Sequence, residues 1–134
     1  MRKVSDILRV AVSALAVLTA PAFAEMAGEK EYMVACSGCH GESGMGDGPL
    51  AGLLNIKTPN LTTLAAEKGE GKFPFEWVLW MVDGRKIIRA HGSTMPIWGE
   101  RYQASANSQR GETAEMVARG RMLSLVYYLE TIQQ

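Results

Sequence analysis

Cys36, Cys39 and His40 stand in the order Cys-Ser-Gly-Cys-His and account for both cysteines and one of the two histidines in the 134-residue chain. Residues three apart lie on one face of a helical turn, so the two sulfurs can meet the two vinyl groups of a haem as thioethers. His40, one position on, is then held against the iron, and five residues fix the ring and its proximal ligand together. Three other uses compete. A C-x-x-C redox disulfide asks for a βαβ surround, and no alternating strand pattern occurs nearby. A zinc site would have to recruit Cys36, Cys39, His40 and His91, although neighbours such as Cys39 and His40 rarely bind one ion together. A plain structural disulfide is the third.

If haem is held, the sixth ligand decides the chemistry. Iron with one histidine either stays five-coordinate and meets gases or peroxide, or takes a second protein ligand and carries electrons. Met33, Met81, Met116 and Met122 sit in helix-like stretches, where methionine commonly fills core gaps or covers surface. Met26 lies near the start of the mature chain, and Met45 is in a glycine-rich loop too close to His40 to reach the far face of the ring easily. Met95 is different. It lies in Gly92-Ser93-Thr94-Met95-Pro96-Ile97-Trp98-Gly99, where Pro96 disfavours helix at the preceding residue and the glycines bracket a loop. Such a loop can wrap the ring and present a thioether, so Met95 is the expected second axial ligand. His91 is the rival, and bis-histidine ligation would lower the reduction potential relative to His/Met.

These side chains have to be positioned by helices. Residues 25–39 read as a first helix carrying the cysteine motif at its end, followed by a turn-rich loop over residues 41–52 with five glycines and Pro49. Thr58-Pro59-Asn60-Leu61 begins another short element. Residues 75–82 read as a helix stopped by Asp83-Gly84. Residues 101–111 are polar and read as a surface loop. From about Glu112, Met122, Leu125, Val126 and Leu129 recur at helical spacing in a final helix ending near Ile132.

The amino terminus carries Arg2, Lys3 and Arg9, then an apolar run over residues 10–20 and the small-x-small pattern Ala22-Phe23-Ala24. This predicts a signal peptide, residues 1–24, cleaved after Ala24, and a single exported domain over residues 25–134. The run is shorter than the roughly 20 residues a membrane span needs, so stable membrane insertion is not expected. Eleven basic and thirteen acidic side chains remain after cleavage, a balance of −2. Nucleic acid and anionic membranes select dense basic patches, so neither is an expected partner.

With these elements assembled, the chain resembles the class I cytochromes c over nearly all of residues 25–134. In that family a glycine and an aromatic residue precede the first haem cysteine by eight and four positions, here Gly28 and Tyr32, and the aromatic of the last helix corresponds to Tyr128. The resemblance implies an all-α cytochrome c fold, about four to five helices wrapped around one covalently bound haem c, with the terminal helices crossing at Gly28 and the two tyrosines packed there. It also implies that the Pro49 carbonyl, in Gly46-Asp47-Gly48-Pro49-Leu50, accepts a hydrogen bond from the second nitrogen of His40. Trp98 is expected on the ring edge. Arg85, Lys86 and Arg89 are candidates for the haem propionates, with a solvated basic face as the alternative; Trp77 and Trp80 are candidates for pocket wall or core. The chain lacks the many lysines of the mitochondrial form and adds the polar insert at residues 101–111.

The expectation is a monomeric, periplasmic, His/Met-ligated electron carrier with no catalysis of its own. It would exchange electrons with a redox protein donor and acceptor of a respiratory chain, such as a dehydrogenase on one side and an oxidase or reductase on the other. Two alternatives stay open: a haem peroxidase or gas-reacting protein, which needs an open iron position and distal acid-base groups, and a haem sensor in which Met95 dissociates as the signal.

Overall fold

A computed structural model describes residues 20–85, 95–106 and 112–134. Among them the chain forms six α-helices and no strand: α1 (Ala20–Ala35), α2 (Ser37–His40), α3 (Leu64–Lys68), α4 (Phe75–Asp83), α5 (Trp98–Ala106) and α6 (Glu112–Thr131), with a 3-10 turn at Ala51–Leu53. No helix among the described residues is long and apolar enough to cross a membrane. The expected cleavage point after Ala24 falls within α1, and residues 1–19 lie outside the described residues.

The core is built on the stripe that α6 turns inward. Ala114, Ala118, Met122, Leu125, Val126 and Leu129 fall along one face of the helix and are all buried. Against them pack Tyr32 of α1, Val78 and Val82 of α4, and Tyr102 of α5. The most extensive helix pairing is α1 on α6. It depends on Gly28: a Cβ there would stand 2.7 Å from the carbonyl carbon of Ser124 and 2.8 Å from Cβ of Tyr128. One position-turn on, the rings of Tyr32 and Tyr128 meet with centroids 5.3 Å apart. The expected close crossing of the terminal helices at Gly28 is therefore present.

Ion pairs fasten the outer edges of the same contacts. The Arg121 guanidinium grips both oxygens of Glu31 at 2.8 Å, donates to Ser105 Oγ at 2.8 Å and lies 4.2 Å from the centroid of the Tyr102 ring, joining α6 to α1 and α5. At the other end of the bundle, Gln133 donates to the carbonyls of Leu61 (2.8 Å) and Leu129 (2.6 Å) and accepts from the Ala65 amide (2.9 Å), while the Gln134 amide donates to the Thr62 carbonyl at 2.9 Å. The chain end thereby clasps the segment following Pro59.

Several expectations are corrected. The first helix is two: α1 stops at Ala35, Cys36 takes φ −119° as the cap of α2, and the Cys36 carbonyl accepts from both the Cys39 and His40 amides. The supposed loop from residue 101 is helical as far as Ala106, because Gly99, Tyr102 and Ala106 form a buried face. Residues 107–111 lie outside the described residues. The helix count thus exceeds the four to five expected. The stop at Asp83-Gly84 is as read: Gly84 adopts φ +68° and returns its amide to the Trp80 carbonyl at 3.0 Å.

Gly28→Ala is expected to force α1 away from α6 and to destabilise the protein by about 2 kcal/mol or more, the cost of overpacking against backbone that cannot rotate away. Chemical denaturation of the variant beside the parent protein measures this, and a loss within about 0.5 kcal/mol of zero would contradict the contact.

Candidate functional site

Helix α2 is a single turn, and its hydrogen bonds decide where its chemistry points. The amides of Cys39 and His40 both return to Cys36, so the two thiols and the imidazole are presented within one turn. The following loop then runs back along that turn. Gly46 donates to the His40 carbonyl (2.7 Å), Gly48 to Cys39 (3.1 Å) and Leu50 to Gly38 (2.8 Å), satisfying the carbonyls that a short helix leaves open. Gly48 is required for this approach, since a Cβ would stand 2.5 Å from the Gly38 carbonyl oxygen. Tyr32 adds a tether from the core, its hydroxyl donating to the Gly41 carbonyl at 2.5 Å, one residue beyond His40.

Cys36, Cys39 and His40 line one cavity of about 230 Å³. Its other walls are Leu54, Ile56, Thr58 and Pro59 from the connecting loop, Met81 from α4, Ala35 from α1, and Met95, Pro96 and Trp98 from the entry to α5. Met95 and Trp98 also pack on the hydrophobic core. The structure therefore brings together five of the residues singled out in the sequence: Cys36, Cys39, His40, Met95 and Trp98.

His40 is buried, and its Nδ1 lies 3.1 Å from the carbonyl oxygen of Pro59. A carbonyl only accepts, so the proton of this bond sits on Nδ1. Burial pushes the pKa of the ring down, against an opposing pull from the Pro59 bond, and so favours the neutral form, whose lone pair is on Nε2. This is the tautomer a metal ligand needs. The acceptor expected at Pro49 is thus Pro59. The loop around Pro49 gives its backbone to α2 instead, and Pro49 is exposed.

Both cysteines are free thiols. Cys36 is 6% exposed, and burial pushes its pKa up to about 12, with Cys39 and Glu31 adding to the rise. The thiol is accordingly held protonated in its apolar surroundings.

Other expected contacts fall elsewhere. Arg85 donates to both carboxylate oxygens of Asp83 (2.6 and 2.9 Å) and to Glu115 (2.8 and 3.1 Å), holding both carboxyl groups below their usual range. It lines a separate cleft of about 550 Å³ with Trp80, Glu76 and Arg119, not the cysteine cavity. That larger cleft gathers no thiol or imidazole among its described residues, and its Arg85, Asp83 and Glu115 are paired with one another. Trp77 and Trp80 belong neither to the wall of the cysteine cavity nor to the core: they are 40% and 60% exposed, and Trp80 borders the larger cleft instead. Lys86, Arg89 and His91 lie outside the described residues.

Met81, Thr58 and Pro59 were not singled out as site residues from the sequence. Thr58 is 6% exposed, and its Oγ1 has no hydrogen-bond partner, which leaves a buried polar atom beside the cavity for a bound group or water to satisfy. Among the described residues, no group of three or more His, Cys, Asp or Glu could hold a metal ion unaided. The donor set instead fits a metal carried by an apolar macrocycle: thiols for covalent attachment, one imidazole lone pair, thioether sulfur and hydrocarbon walls. Comparisons with protein families, with curated proteins and with solved structures find no match to this chain.

In polypeptide whose thiols are still free, iodoacetamide at pH 8 is expected to modify Cys39 at least about tenfold faster than Cys36, because the thiolate is the nucleophile and burial suppresses it at Cys36. Peptide mass spectrometry over time reads the two rates. Equal rates would contradict the burial of Cys36.

Proposed function

We propose that this chain is a monohaem class I c-type cytochrome, an exported electron carrier and not an enzyme. Cys36 and Cys39 would hold haem c through thioether bonds, and His40 Nε2 and Met95 Sδ would ligate its iron. When bound, the group supplies one-electron exchange between Fe(II) and Fe(III). The observation that carries this reading is the meeting at one apolar cavity of two free thiols, an imidazole whose proton is placed on Nδ1, and the Met95 thioether.

The chain's own residues perform the remaining work. The Pro59 carbonyl fixes the orientation of the His40 ring and strengthens Nε2 as a donor. Leu54, Ile56, Pro96 and Trp98 line the cavity with hydrocarbon, and an apolar lining disfavours the extra positive charge of the oxidised state and raises the potential. A soft thioether ligand acts in the same direction. Holding both axial side chains in a packed frame limits reorganisation when one electron is gained or lost. The peroxidase and sensor readings need a vacant or labile position, and the presence of Met95 in the cavity wall favours the closed one. The leader-like amino terminus supports a periplasmic location, where a dehydrogenase donor and an oxidase or reductase acceptor would be met.

The test is expression in a host that attaches haem c to exported proteins. Intact mass is expected to equal the polypeptide trimmed after Ala24 plus one haem, with low-spin optical spectra in both oxidation states. The reduced protein is expected to show one strongly upfield methionine methyl resonance that selective labelling assigns to Met95. His40→Ala should abolish the low-spin spectrum. A bare polypeptide, or a high-spin resting protein that binds carbon monoxide rapidly, would overturn the proposal.

A further inference from the structure

Two methionines, not one, line the cavity that holds His40. Of the others described, Met26, Met33, Met45 and Met116 are exposed, and Met122 is buried in the core behind α4. Met81 stands with Met95 in the wall around Cys36, Cys39 and His40, and is 37% exposed. Its sulfur is the same kind of donor as that of Met95, on a flexible side chain with three rotatable bonds.

The two methionines belong to elements pressed together at one junction. Met81 lies in the last turn of α4, a helix anchored by buried Val78 and Val82 and ended by Gly84. A Cβ on Gly84 would come within 3.3 Å of Ile97, two residues after Met95. Gly99 is equally close to the end of α4, where a Cβ would stand 2.9 Å from the Asp83 carbonyl oxygen. The α4 terminus and the start of α5 therefore bring both methionines to the same cavity, while His40 is fixed independently by Pro59.

We infer that Met81 is a reserve axial ligand: when the Met95 thioether is removed, Met81 takes the sixth position and keeps the iron six-coordinate. This rests on the haem reading proposed above. Its consequence is that loss of the principal ligand does not open the site to peroxide or small gases, because an external ligand must still compete with a tethered thioether.

Met95→Ala holoprotein, labelled with 13C at its methionine methyl groups, provides the test. Its reduced form is expected to remain low-spin with one upfield methionine methyl. Met95→Ala/Met81→Leu is expected to lose that resonance, become high-spin and bind carbon monoxide with an apparent affinity about tenfold higher or more. Leucine at 81 preserves volume and apolarity. Met95→Val, which keeps more of the packing, is used if Met95→Ala does not fold. A high-spin single variant with no bound methionine methyl overturns the inference while leaving the parent reading intact, as does a resonance that survives in the double variant. Parent protein without haem overturns both.

Discussion

The approach of α1 to the backbone of α6 at Gly28 governs the rest of the architecture. With no side chain between them, the two helices close until Tyr32 and Tyr128 pack against each other, and this places the Tyr32 hydroxyl where it can donate to Gly41. Gly41 is the residue that ends α2. A core contact between the first and last helices is thus mechanically linked, through one phenol, to the turn that presents two thiols and an imidazole. Wider helix spacing would leave that hydroxyl unable to reach, and the turn would be tied only to its own loop.

Beyond that tether, the site is held by backbone rather than by side-chain polarity. The loop over Gly46, Gly48 and Leu50 answers the carbonyls of Gly38, Cys39 and His40, and the Pro59 carbonyl accepts from Nδ1 of the His40 ring. Because main-chain groups meet the hydrogen-bonding needs of α2, apolar side chains are free to form much of the cavity wall. Asn60, through its side-chain carbonyl, accepts from both the amide and hydroxyl of Thr62 at 2.8 Å and turns the chain directly after Pro59. The resulting imidazole is oriented and buried, and its burial favours the neutral form.

What could be read in advance followed the strength of the local signal. The final helix was legible because Met122, Leu125, Val126 and Leu129 repeat at one spacing, and the stop at Gly84 because an αL glycine ends helices for a steric reason. That two thiols and an imidazole share one turn was legible because their spacing is confined to five residues. Helix α5 was hidden: two of its buried residues are Gly99 and Ala106, whose small surfaces leave almost no hydrophobic signal amid polar neighbours. In α4, Phe75, Trp77, Val78, Leu79, Trp80, Met81 and Val82 are apolar on every side, so the pattern could not say that Val78 and Val82 face inward, Met81 faces the cavity and both tryptophans stay partly in solvent. Pro49 and Pro59 both follow the motif within reach of a loop, and only the pairing of residues 46–50 with α2 decides between them.

The clasp made by Gln133 spans 72 residues to Leu61 and 68 to Ala65, whereas the turn at Cys36 is built from neighbours four or fewer apart. Loop-closure entropy separates these two in time, since contacts distant along the chain are slow to find one another. A nascent molecule can therefore display its paired sulfurs while its ends are still apart, and the segment that aims the imidazole settles only once they meet.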